Sequence, residues 1–290
     1  MKKGSISNIG VSGSISTSTR VAAGGLVGGM ANVDGAVSLY NSYSSVDITL
    51  TAASTSYIGG LVGQLGGATV RNVYSTGNIT GSVASLTKVG GLLGMAYASN
   101  INNSIKNAFA TGAVTVGGSA SLIGGLIGDY GLSASSGLSP TTLENAYATG
   151  NVTAGNSSNY IGGLFGQDWG NKTNYVYYAG TVAVGSGSFK GVIAGYSSKS
   201  AAAGNYLSNS FYDSTKNTNN YGGFGGSEGP GADPTGLTTA QLTTSSNLTN
   251  FTFSSSGWGY AAVSNAPPVL CGFGGCSSYT KYVALSLIHI

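Results

Sequence analysis

Charge is what this chain has least of. Only 7% of its 290 residues are Asp, Glu, Lys or Arg, against about 25% in ordinary soluble domains. The 11 basic and 8 acidic residues are scattered. They form no dense positive patch of the kind that holds nucleic acid, and they leave few groups for acid–base, metal or phosphate chemistry. Histidine occurs once, at His289. A zinc motif of the His-Glu-x-x-His type is absent, so no metallopeptidase activity of that type is expected of this sequence. No segment approaches the run of about 18 apolar residues that a membrane helix needs, so no membrane insertion is expected. Proline is rare, at 5 residues, and cysteine rarer, at 2.

What is present in quantity is glycine, 50 residues, with Ser, Thr and Asn bringing the four small or polar types to about half of the chain. Disordered chains pair low hydrophobicity with high charge. This one is 41% hydrophobic and 10% aromatic, with 18 tyrosines, and that is enough to bury a core.

The residues fall into a repeat. GGLVG stands at 24–28 and 59–63, GGLLG at 90–94, GGLIG at 124–128, GGLFG at 162–166 and a worn copy, GVIAG, at 191–195. A second block keeps step with it and reads apolar, any, Asn, any, aromatic. Its copies are Leu39–Asn41–Tyr43, Val70–Asn72–Tyr74, Ile105–Asn107–Phe109, Leu143–Asn145–Tyr147 and Leu207–Asn209–Phe211. Ile6–Asn8 opens a copy with Gly10 in the aromatic slot, and Tyr175-Val176-Tyr177 replaces the Asn in another. The clearest copies continue through a glycine into a β-branched run, as in YSTGNIT at 74–80.

Spacing of two is the period of a strand. It predicts that Val70, Asn72 and Tyr74 share one face, with Gly77 turning a corner beyond them. The adjacent Leu61 and Val62 cannot both point inward on a regular strand, so the Gly-Gly block is expected to kink. No repeat of this size buries its apolar face alone; stacked coils do. The glycine pairs are poor helix material, each costing about 1 kcal/mol relative to alanine. The expected fold is therefore all-β: a right-handed parallel β-helix of about seven coils over 1–215, the hand following from the crossover rule. The same reading makes Asn41, Asn72, Asn107, Asn145 and Asn209 an internal amide ladder. It makes Tyr43, Tyr74, Phe109, Tyr147 and Tyr177 a stacked column in the core, or a sugar platform if exposed.

With both blocks recurring in register over residues 1–215, the chain resembles the GLUG repeat. That repeat occurs in filamentous-haemagglutinin-like bacterial adhesins and in some immunoglobulin A-cleaving metallopeptidases. The resemblance implies a β-helical, secreted, surface-exposed segment. Lys2 and Lys3 are followed by Gly4-Ser5-Ile6-Ser7-Asn8 rather than the apolar stretch of a signal peptide, so further β-helix is expected upstream. The last six residues, LSLIHI at 285–290, resemble the translated end of a transposase sequencing adapter, and His289 goes with them.

Past the repeat, 216–236 reads as a Gly-rich loop and 237–284 as a cap over the end coil. In the cap, Thr238 with Gln241 three residues on gives a capping-box signal for a short helix. Cys271 and Cys276 bracket Gly-Phe-Gly-Gly, and in an exported protein they are read as a disulfide loop. The acidic residues follow no single repeat position. Asp129 and Asp168 come nearest but stand one residue out of register, so they read as loop caps rather than as a calcium or glycosidase pair. No cofactor is expected. The functional expectation is a non-catalytic stalk or contact surface of a secreted or surface-bound adhesin-like protein, with a surface receptor or glycan as partner. The competing readings are a polysaccharide-processing β-helix enzyme, the non-catalytic repeat region of a secreted metallopeptidase, and an ice-binding solenoid. The last would need more than the single threonine column of Thr80, Thr115 and Thr153.

Overall fold

A computed structural model describes residues 1–18, 22–51, 56–82, 87–98, 101–131, 141–198, 207–219, 221–228, 233–261, 266–274 and 276. The segment 285–290, with His289, lies outside them. The molecule is a parallel β-solenoid of about six turns. Residues 57–82 give one coil. Tyr57–Gly59 enters the Gly-Gly corner and Val62–Gly66 leaves it. Ala68–Ser75 carries the Asn–aromatic block, and Ile79–Ser82 follows the next glycine. Each strand pairs in parallel with the equivalent strand one coil on, residue for residue. Ile58 stands opposite Val89, Val62 opposite Leu93, Val70 opposite Ile105 and Ile79 opposite Val114.

The corner explains the glycine pairs. Both Leu61 and Val62 are fully buried, because the chain leaves the strand at Gly60–Leu61 and resumes it at a new angle. Their two N–H groups donate to one carbonyl, Leu92 O, at 3.0 and 3.1 Å. A Cβ on Gly60 would collide with the carbonyl oxygen of Gly91, and one on Gly91 with that of Gly125. Close approach between coils, rather than an unusual dihedral, excludes side chains here. The same holds at Gly77 and Gly112 after the aromatic slot. Neither has positive φ, and a Cβ on Gly112 would strike the carbonyl of Gly77. The expectation that Gly77 supplies turn dihedrals is thus corrected to one of stacking space.

Inside, one column from each strand fills the core: Val70, Ile105 and Leu143 from one, Ile79, Val114 and Val152 from another, Leu61, Leu92 and Leu126 at the corner. Burying each such side chain contributes about 1.5–3 kcal/mol. Two buried asparagines that the repeat pattern did not flag close the passage into the long strands. Asn103 accepts from Ala68 N at 2.9 Å and donates to Tyr97 O at 2.7 Å; Asn171 accepts from Thr141 N at 3.1 Å and donates to Tyr130 O at 2.7 Å. They cap the Ala68 and Thr141 N–H groups and add a second donor to carbonyls that already accept Gly67 N and Trp169 N.

The stack outruns the boundary drawn at 215. Phe224–Glu228 and Thr235–Leu237, within the stretch read as a loop, pair in parallel with Ala194–Ser198 and Leu207–Asp213. Glycine-rich sequence here is another worn corner, not a linker. Thr238 and Gln241 do form a capping box, on the helix Thr239–Leu242, which packs on the last rungs. There Thr239 Oγ1 donates to Asp213 Oδ2 at 2.7 Å.

Candidate functional site

The Asn–aromatic block is the most regular feature of the surface, and it faces outward. Each asparagine in its slot is left-handed: Asn8, Asn41, Asn72, Asn107, Asn145 and Asn209 have φ between 47° and 58°. One αL residue in a strand breaks the two-residue alternation. Val70 and Val73 both point inward, while Asn72 and Tyr74 turn out to the flank. The internal ladder read from period two is therefore corrected: both columns stand on the outside of the coils, where Tyr147 and Tyr177 join a second apolar cluster with the C-terminal segment and Tyr43 stays open. Asparagine fits because its short amide tolerates αL better than other non-glycine side chains.

The amides form a chain. Asn41 Nδ2 donates to Asn8 Oδ1 at 3.2 Å, Asn72 to Asn41 at 3.0 Å, Asn107 to Asn72 at 2.9 Å and Asn145 to Asn107 at 3.1 Å. Tyr175 then occupies the slot, at φ 57°, and has no amide to donate. Trp258 Nε1 takes over, donating to Asn145 Oδ1 at 3.3 Å. Beyond the break Asn209 donates to Asn174 at 2.6 Å, and Asn250 to Asn209 at 2.8 Å.

Two residues on, the rings stack. Tyr43, Tyr74, Phe109 and Tyr147 follow one another at 4.8 Å with planes within 4°, and Tyr147 meets Tyr177 at 5.0 Å. This is the strand spacing itself. Tyr43 is 40% exposed, yet Tyr147 and Tyr177 at the other end are buried. The C-terminal segment covers them. Phe251 lies edge-on to Tyr175 and Phe211. Trp258 tilts against Tyr147 and Tyr177 at 5.8 and 5.7 Å, and Phe273 stands edge-on to Tyr74 and Phe109 at 5.4 and 5.0 Å. Tyr177 also donates to Pro268 O at 2.5 Å. Burial raises the Tyr147 and Tyr177 hydroxyl pKa values above the usual phenol range.

The segment expected to cap the end coil thus begins there and then runs back along the flank as a strap. The antiparallel pair Trp258–Gly259 with Val269–Leu270 shapes it. The disulfide Cys271–Cys276, with Cα atoms 5.0 Å apart, closes its tip just where Phe273 projects.

Elsewhere the flank is polar, with a charged row of Arg71, Lys106 and Glu144 one residue before the asparagines, the last two paired at 3.0 Å. Thr49 extends the column of Thr80, Thr115 and Thr153, all exposed, and Ala183 ends it. Asp129 and Asp168 are indeed one residue out of register, facing Gln167 and Tyr130. Lys88 Nζ lies 2.6 Å from Asp129 Oδ2. Asp168 receives Asn171 N and Nδ2, both at 3.1 Å, which caps the turn at 168–171. Burial raises its carboxyl to a pKa of about 6, against the pull of these donors. Among the described residues no three His, Cys, Asp or Glu side chains gather, and no helix is long and apolar enough to cross a membrane.

Geometry alone therefore defines the class as a parallel β-solenoid with an outward Asn–aromatic face, half of it strapped over. A family model described as the GLUG motif matches residues 54–80, which take in most of the coil that begins at Tyr57. No curated protein and no solved structure matches the chain significantly.

Proposed function

We propose that this chain is a non-catalytic repeat region of an adhesin-like, exported protein, which makes contact with its partner along the solenoid flank. One observation carries the reading. Hydroxyl side chains at Thr49, Thr80, Thr115 and Thr153 repeat outward at the coil spacing, beside the amide ladder and the Tyr43 ring that the strap leaves open. Such a surface is pre-organised and offers the same groups many times, which suits weak contacts summed along a repetitive ligand. The GLUG match supports it, since that motif occurs in β-helix-like bacterial proteins. A closed disulfide near the strap tip fits an oxidising compartment outside the cytosol.

The test couples the full chain to beads and measures adhesion to whole cells and to surfaces coated with mucin or cell-wall polysaccharide. Released reducing ends are assayed in parallel. The expected result is saturable adhesion without product. Adhesion no greater than that of beads carrying an unrelated β-solenoid of equal charge refutes the contact role. Steady release of sugar ends refutes the non-catalytic one and revives the polysaccharide-processing enzyme.

A further inference from the structure

A second outward column lies on a different flank, where the chain enters and leaves the Gly-Gly corner. The residue two before the first glycine is Tyr57, Lys88, Leu122, Tyr160 or Phe189 in successive coils. Leu122, Tyr160 and Phe189 are left-handed, at φ 63°, 58° and 54°, and point out. Tyr160 and Phe189 stack at 4.9 Å with planes 4° apart. Tyr196, from the strand leaving the corner, stands edge-on to both at 6.1 and 5.9 Å, and Trp169 meets Tyr196 at 6.4 Å. Trp169 and Phe189 are 42% and 39% exposed, large for residues of their kind.

Polar groups floor this patch. Gln167 lies between Asp129 and Tyr196 in the strand register. Asp129 is 4% exposed; Lys88 holds its Oδ2 at 2.6 Å, while its buried Oδ1 has no hydrogen-bond partner among the described residues. Gly131, with no side chain, is what lets that oxygen lie close to the Trp169 ring. A Cβ there would sit 3.0 Å from Asp129 Oδ1 and 3.2 Å from Trp169 Cδ1. A carboxylate oxygen with spare acceptor capacity in a buried setting calls for a donor. The nearby cations are already engaged: Lys88 with Asp129 and over the Tyr57 ring at 5.4 Å, Lys190 over the Tyr221 ring at 5.5 Å.

We infer that the patch formed by Trp169, Tyr196, Phe189, Tyr160, Gln167 and Asp129 is a binding site for a neutral glycan. Exposed rings fixed in orientation suit the apolar C–H faces of pyranose rings, and the amide and carboxylate accept their hydroxyls, the combination of apolar wall and few polar anchors that ligand sites use. Lys88 is paired with Asp129, and Lys190 takes the register position of the inward Ile161, off the ring face, so an anionic sugar gains no cation from either. This rests on the flank-contact reading and gives it a location.

Calorimetric titration of the full chain with cellohexaose, laminarihexaose, mannohexaose and chitohexaose tests it, with a galacturonate hexamer as the anionic probe. At least one neutral hexamer is expected to bind saturably. Trp169→Ala is expected to weaken that binding tenfold or more, and Ile9→Ala, at an exposed apolar residue of the first coil, to leave it unchanged. Failure of every neutral hexamer, preference for the galacturonate, or equal loss in the two variants overturns the site. Full adhesion of Trp169→Ala beads in the cell assay also overturns it while leaving flank contact standing. Failure of the unsubstituted chain to adhere defeats the wider reading instead.

Discussion

Replacing Asn107 separates the two things an asparagine does in the ladder slot. Its side chain donates to Asn72 at 2.9 Å and accepts from Asn145 at 3.1 Å, both partly exposed bonds with a net value of about 0.5–1 kcal/mol each. Its backbone sits at φ 55°, where a Cβ costs about 1–2 kcal/mol and asparagine less than most. Asn107→Ala therefore loses about 1–2 kcal/mol of hydrogen bonding and adds about 1 kcal/mol of strain. Asn107→Gly loses the same bonds and relieves the strain.

In an ordinary strand glycine is the worse residue, by about 0.5–1 kcal/mol relative to alanine. Here the order inverts: the alanine variant is expected to be the less stable by about 1 kcal/mol, with both below the unsubstituted chain. Urea unfolding followed by circular dichroism gives the two midpoints at equal slope. An alanine variant as stable as the glycine variant would refute the left-handed account of the flank. Two variants indistinguishable from the parent would refute the ladder's contribution.

Trp258→Ala removes a fully buried ring and is expected to cost about 3–5 kcal/mol. Limited proteolysis then cuts between 251 and 276 while the coils stay intact; an unchanged digestion pattern would show that the strap holds without it. Gly125→Ala places a methyl group against the carbonyl of Gly163 and should lower the melting temperature sharply, since overpacking costs about 1–3 kcal/mol or more. The matched Gly29→Ala, which meets nothing within 4 Å, is expected to be neutral; equal effects would sink the close-approach argument. Asp168 has a folded pKa raised to about 6 from 3.8, so the folded state holds the proton more tightly. Its stabilising contribution, about 3 kcal/mol in magnitude, is fully present below pH 3.8 and lost as pH rises through 6. Melting temperature should rise from pH 7 to pH 4 more in the parent than in Asp168→Asn, and parallel profiles would contradict this.

How far the sequence could be read follows from which interactions repeat. Coil stacking pairs Ile58 with Val89 and Val70 with Ile105, so every coil imposes the same demand at the same slot and the spacing shows through. Which way the slot faces was harder, because the period-two rule assumes that no residue leaves the extended region. A signal was present all the same. Asparagine is the non-glycine residue most at home in αL, and its recurrence in one slot of a strand pointed to a left-handed kink as much as to a ladder. Tyr175 at φ 57° shows that the coils enforce the kink even where the residue does not favour it.

The strap and the corner patch left no such trace, for two different reasons. Trp258 meets Asn145 across 113 residues and Tyr177 meets Pro268 across 91, single long-range contacts without a period. Read from the sequence, Trp258 belongs to a cap and Tyr177 to a core column, with no spacing that joins them. The patch depends on the corner angle, which sets the residues entering it against those leaving it and brings Lys88 onto Asp129 across 41 residues. Regularity was legible; direction was not, and the exposure of both flanks depends on direction. The strap shows the consequence. It buries Tyr147 and Tyr177 and leaves Tyr43 open, so the more regular of the two ring columns is mostly spent on holding the C-terminal segment. The rings around Trp169 meet one another rather than the strap, and on that flank Trp169 and Phe189 keep exposed faces.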